Sequence, residues 1–200
     1  MEINIENAKA AFNTADESVK QVLLALMPEL KEETAQKADN RPITERVKTF
    51  EDACRVLGDN HQFVSEWSVV SEITNISPDL RAFFKLRIIC AALNEGWEPR
   101  FTEDEWRYYP WLLLWTEEDL SEKSEEWKTD RHLISTGDYQ TEDYAGLAYA
   151  SSYSAPSRTN ASVGSRLCLK SDTLAVYCGK QFISLWADFF LIRRPSSESK

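Results

Sequence analysis

No run of about eighteen apolar residues occurs anywhere in the 200-residue chain, so no segment reads as a membrane-spanning helix. Met1 to Lys9 alternates polar and apolar residues and carries acids, and it lacks the basic start and apolar stretch of a secretory signal. Cysteine is sparse. Cys54, Cys90, Cys168 and Cys178 form no C-x-x-C pair and sit among apolar neighbours, as small buried hydrophobes do in a reducing compartment. A disulfide framework does not fit that size and spacing. With only His61 and His132 as histidines, Cys/His metal centres are nearly excluded, and the sequence calls for no metal and no cofactor. The signatures G-x-G-x-x-G, G-x-x-x-x-G-K, G-x-S-x-G and H-E-x-x-H are missing. His132 lies near Asp130 and Ser135 in sequence, but sequence neighbours do not make a triad, and it reads as a surface histidine. The pair Glu117-Glu118 could serve a glycosidase, yet exposed helix starts look the same. The sequons at Asn75 and Asn160 mean little without a secretory route. Basic clusters are absent too. A net charge of −10 makes a poor general nucleic-acid binder, because phosphate attraction needs grouped Lys and Arg.

What is present suits one α+β domain with a helical appendage. Hydrophobic residues make up 42% of the chain, enough for a sizeable core. Thr14-Ala15-Asp16-Glu17 forms a capping box for a first helix through Val19, Val22, Leu23 and Leu26, stopped at Pro28. Lys31 to Pro42 reads as a linker, so residues 1–42 form a helical N-terminal extension and linker, 43–194 the single domain, and 195–200 a disordered tail. Thr49 caps a helix that ends at Gly58, and Phe63, Trp67 and Val70 mark another. Ser77-Pro78-Asp79, with a capping hydroxyl, starts the most apolar helix, which stops at Asn94-Glu95-Gly96 and should be central to the core. Arg107 to Trp115 reads as a strand, at an edge or bulged because Pro110 lies inside it. Thr116 to Lys128 is acidic and in part helical. Leu147 to Ser152 and Val163 to Lys170 read as further strands, joined by a turn-rich loop, and Ser171 caps one last helix running to Phe190. The expectation is a helical core with a small antiparallel sheet in the C-terminal half and a C-terminal helix.

Two features are unevenly spread. Between Glu98 and Asp130 eleven acids face four bases, a net −7 out of −10. Solvated helix starts would explain this, since acids favour first turns. A patch for a basic partner, or a mimic of nucleic acid, would explain it as well. Calcium is the weakest reading, because no D-x-D-x-D-G loop is present. Aromatics gather in the same region, with five of seven Trp between Trp97 and Trp127 and six of seven Tyr between Tyr108 and Tyr153. Rings that fasten a sheet to helices account for part of this. Gly137 to Ser165 mixes Tyr with Ser, Thr, Gly and Asn, the composition of a recognition surface as much as of an exposed connecting loop. Tyr144, Tyr149, Tyr153, Arg158 and Asn160 are its candidate contacts.

Several stretches look familiar together: Thr49-Phe50-Glu51-Asp52-Ala53-Cys54, Ala91 to Pro99, Tyr108-Tyr109-Pro110-Trp111, Val163 to Ser171 and Tyr177-Cys178-Gly179-Lys180-Gln181-Phe182. Over Ile43 to Phe190 the chain resembles a family of small proteins carried by phages, prophages and mobile elements of gut anaerobes, for which no activity is established. The resemblance implies a protein made in the host cytoplasm, with incorporation in the virion left open; it brings no catalytic residue. The expected function is a non-enzymatic binding protein, structural or accessory to a phage. A protein partner is favoured over a small molecule, with no direct nucleic acid, no membrane, and an oligomer left open. The alternatives are an acidic inhibitor of a host factor acting as a nucleic-acid mimic, and an enzyme of unrecognised type.

Overall fold

The computed structural model describes residues 8, 11, 12, 15, 17–27, 39–100, 102, 104–156 and 165–195. The chain divides into two compact units, Met1–Pro42 and Ile43–Lys200. In the first, helix α1 spans Glu17–Leu26 and exposes Val19, Val22 and Leu26. Its expected cap at Thr14 and stop at Pro28, like residues 31–38 of the expected linker and 196–200 of the expected tail, lie outside the described residues.

In the second unit, short α2 (Ile43–Arg46) leads into α3 (Phe50–Leu57). Thr49 caps α3 as expected, and with Asp52 it closes a capping box: the Asp52 N–H donates to Thr49 Oγ1 at 3.1 Å, and the Thr49 N–H to Asp52 Oδ2 at 2.9 Å. Gly58 takes the positive φ of 80° that ends the helix. Helix α4 (Gln62–Ser71) follows, then the long α5 (Pro78–Asn94). The Ser77 hydroxyl does not cap the α5 backbone as expected. The Ser77 hydroxyl near Asp79 instead holds that carboxyl below its usual value. Leu86, Ile88, Ile89, Cys90, Ala92 and Leu93 of α5 are all buried, because α3, α4 and the C-terminal helices pack around it. Even Arg87 is buried, with its guanidinium carbon 4.0 Å from the centre of the Phe63 ring and its charge met by Glu66 at 3.0 Å.

The sheet has the order β1-β3-β2 and is antiparallel throughout. Strand β1 (Trp106–Trp115) is an edge strand, and its register with β3 (Gly146–Pro156) shifts between Trp111 and Leu112. Trp111 pairs with Ser151 but Leu112 with Tyr149, which leaves Ala150 as the extra residue of a bulge. Of the two features anticipated from Pro110, the edge position is present, while the bulge falls on β3 and not on β1. Tyr108 exchanges backbone bonds with Leu169 across the outer edge of β1. Two residues on, the Pro110 nitrogen falls on that same outer edge, where β3 requires no donor. Between β1 and β2 (Ile134–Ser135) run α6 (Glu117–Ser121) and α7 (Glu125–Asp130).

Two expectations fail in this half. Of the expected strand Val163 to Lys170, residues 163 and 164 lie outside the described residues, and the rest is not a strand: Ser165–Leu167 forms a 3₁₀ turn, and Leu169 contributes one isolated bridge to Tyr108. Leu167 and Leu169 are still fully buried, so their inward apolar pattern comes from a turn and not from a pleat. The last helix is also two, α8 (Asp172–Gln181) and α9 (Ile183–Phe190), broken at Phe182 with φ −117° and ψ 28°. The break lets α8 pack on β1 and β3 while α9 packs on α5. The fold is α+β, with a helical core, a small antiparallel sheet in the C-terminal half and a C-terminal helix.

Candidate interaction surface

The expected contacts scatter once they are placed. Tyr149 is not a surface contact: its ring is buried between β3 and α8, with Lys180 Nζ 5.5 Å above it. Burial pushes its phenol up, Asp172 adds to this, and Arg131 opposes it. The exposed reading failed because the Tyr149 side chain fills the space that Gly179 leaves on α8. A Cβ there would stand 3.1 Å from Tyr149 Cδ2. Tyr144 is exposed and lies at the Trp115 end of the sheet, where the Ala145 N–H donates to the Trp115 carbonyl at 2.9 Å. Of Tyr153 only the backbone is described, paired with Tyr109, and Arg158 and Asn160 lie outside the described residues.

The two faces of the sheet differ. Inward from β1, Leu112 and Leu114 pack with Tyr139, Leu147, Ile183 and Ala187. By strand alternation Trp111, Leu113 and Trp115 point the other way. Trp115 is covered, its ring meeting Trp127 of α7 edge-on at 5.0 Å. Gly146 admits Leu120 and Leu133 beside it, whose Cδ1 atoms would lie within 3 Å of an added Cβ. Trp111 and Leu113 are 45% and 41% exposed, with exposed Ser151 opposite Trp111.

Electrostatics frame this face asymmetrically. The cations of the neighbouring helices are drawn inward. Lys123 Nζ sits 5.4 Å from the Trp115 ring and 5.8 Å from Trp127. Lys128 pairs with Glu125 at 2.7 Å, and Arg131 donates to the carbonyls of Ala150 and Tyr149. Asp119 is occupied by its capping box with Thr116. Glu117, Glu118, Glu122 and Glu126 are exposed and make no ion pair among the described residues. Leu113 and Ser151 were missed by sequence reasoning. Alternation along β1 could have marked Leu113, but the Ala150 bulge hides the parity of Ser151.

Other places carry less. A cleft of about 1010 Å³ runs from Ser77 to Arg194, but its cations are spoken for: Arg193 bonds Asp188 at 2.7 Å and Arg194 the Tyr139 carbonyl at 2.8 Å. Among the described residues no group of three or more His, Cys, Asp or Glu could hold a metal ion, and no helix is long and apolar enough to cross a membrane.

The class this defines is an α+β protein whose small sheet shows an apolar outer patch near carboxylates that make no ion pair among the described residues. No family model, no curated protein and no solved structure matches the chain.

Proposed function

We propose that this is a non-enzymatic binding protein of phage or mobile-element origin, structural or accessory to a particle, that docks a basic protein segment on the outer face of its sheet. The observation that carries the reading is the exposure of Trp111 and Leu113 on an ordered strand near carboxylates that make no ion pair among the described residues. Full burial of such a side chain is worth about 1.5–3 kcal/mol, and at 45% and 41% exposure folding leaves less than half of that for a partner to supply. The acids then select a Lys- or Arg-bearing partner and speed its approach, while like-charged surfaces are repelled. Pro110 disfavours addition of a strand along the β1 edge, so the partner lies across the face. The mobile-element origin rests on the sequence resemblance over Ile43 to Phe190.

The test is affinity capture from a lysate of the producing cells, with the natural chain and with a Trp111→Asp, Leu113→Asp double variant as baits. The natural chain should retain a basic protein that elutes as salt rises, and the variant should lose it with its melting temperature nearly unchanged. Equal capture by both baits would refute the proposed surface.

A further inference from the structure

A second site lies away from the sheet face, where the start of α4 meets the end of α5. There a cavity of about 340 Å³ opens, within the range of small-molecule sites. Its apolar lining includes Leu57, Phe63 and Trp97, and its polar lining includes His61, Glu98 and Arg166. Three observations make this more than a surface dent.

His61 is fixed in orientation and tautomer. As the residue preceding α4 it accepts the Phe63 N–H on Nδ1 at 3.2 Å, and its ring stands edge-on to Phe63 at 5.1 Å. Nδ1 is thereby spent as an acceptor, and Nε2 carries the hydrogen and can donate. Next, the cavity holds opposite charges with no mutual or outside satisfaction. Glu98 and Arg166 are both exposed, and neither makes an ion pair or side-chain hydrogen bond among the described residues. Nearby charges are tied elsewhere: Arg87 to Glu66 at 3.0 Å, and Glu95 to both Arg46 at 2.7 Å and Lys170 at 3.0 Å. Finally, the segment that bears Arg166 is clamped. Buried Asn94 donates through Nδ2 to the Cys168 carbonyl at 2.9 Å and accepts the Lys170 N–H on Oδ1 at 3.0 Å. A guanidinium carried on a held segment and a carboxylate across the same cavity, beside an aromatic wall and a fixed donor, are complementary to a ligand with one positive end, one negative end and an apolar body.

We propose that this cavity binds a free α-amino acid with an aromatic side chain. Arg166 and His61 Nε2–H take the carboxylate, and Glu98 takes the ammonium group. The side chain lies against Leu57, Phe63 and Trp97. A ligand with one charge only leaves one of the two site charges unmet, so both groups are required for full affinity.

Calorimetric titration of the full chain with L-phenylalanine tests this, against phenethylamine, which lacks the carboxylate, and 3-phenylpropionate, which lacks the ammonium. L-phenylalanine should bind saturably and at least about tenfold tighter than either comparator. Arg166→Gln should erase the preference over phenethylamine, and Glu98→Gln the preference over 3-phenylpropionate. Both side chains are exposed, so the unliganded melting temperature should hold and confirm that each variant is folded. Absence of saturable binding by L-phenylalanine, equal affinity for the three compounds, or an unaltered preference in either folded variant overturns the proposal.

Discussion

Gly179 and Gly146 both stand where a methyl group would collide, but the collisions differ in kind. A Cβ on Gly179 would lie 2.7 Å from Pro110 Cβ, an atom held by a ring within a paired strand. On Gly146 it would meet the Cδ1 atoms of Leu133 and Leu120 at 2.7 and 2.9 Å, the far ends of side chains that can rotate away. Alanine at 179 gains about 1 kcal/mol of helix propensity within α8. Overpacking against a part that cannot yield costs about 1–3 kcal/mol, so the net effect is destabilising. Urea midpoints should therefore fall further for Gly179→Ala than for Gly146→Ala, and the reverse order would contradict the packing described. At His61 the expected outcome concerns pH. Burial holds its imidazole below the usual 6.5 and Arg87 adds to this, while Glu98 pulls the other way. The unfolded chain thus takes up the proton first as pH falls. The stability tied to neutral His61 is complete above about 6.5 and drains away as pH drops through the lower folded value. His61→Asn keeps an N-cap acceptor but removes the titration, so it should flatten the fall in urea midpoint between neutral pH and the carboxylate range. A slope identical to that of the natural chain would show that His61 does not titrate as described.

Elements were legible in the sequence wherever a local signal set them. Thr49 with Asp52, Pro78 with Asp79, and the turn at Glu95-Gly96 act within one helical turn, and the structure uses each of those boundaries. Pro110 inside an apolar run announced an edge strand, because a missing donor is a local fact. The break at Phe182 was hidden, since no proline or glycine marks it. Phe182 ends α8 by donating to the Cys178 carbonyl at 3.1 Å and starts α9 by accepting from Trp186 at 3.2 Å, and tertiary packing alone decides that the axis turns there. Strand β2 has two residues, too few to show any period. The stretch to Lys170 misled because Leu167 and Leu169 alternate as a strand would, while a 3₁₀ turn and a single bridge bury them equally well. At this scale the central prediction concerns α5. Ile89 is fully buried within it, so Ile89→Ala should cost about 2–5 kcal/mol in chemical denaturation. A loss well under 1 kcal/mol would mean that α5 is not the core helix.

Over the whole molecule, composition marked the region of the proposed surface but not the residues within it. The surplus of acid and aromatic residues between Glu98 and Asp130 was visible at once. Which rings face water was not, because Tyr149 and Tyr144 look alike until α8 is seen to cover one and leave the other. The cavity at His61, Glu98 and Arg166 gathers residues from three distant segments, so no spacing could reveal it. The thiols are a property of the whole chain that can be checked directly. All four cysteines are free; Cys90, Cys168 and Cys178 are buried and Cys54 is half-buried. Burial pushes the Cys168 thiol to about 11, and the neighbouring Cys178 thiol together with burial drives Cys90 well up. Alkylation of the native protein should label Cys54 first, and alkylation after denaturation without reductant should add four groups. An internal disulfide, or Cys168 reacting as fast as Cys54, would contradict this arrangement. Pro110 has a consequence at the same scale. A flat edge strand is a template on which further copies of a chain can polymerise, each adding one more rung to a growing fibre. With a ring where the next rung needs a donor and Leu169 already bonded to Tyr108 two residues before it, this sheet gives an incoming strand an interrupted template. The protein should therefore stay a discrete particle at concentrations where an uninterrupted edge would seed fibrils.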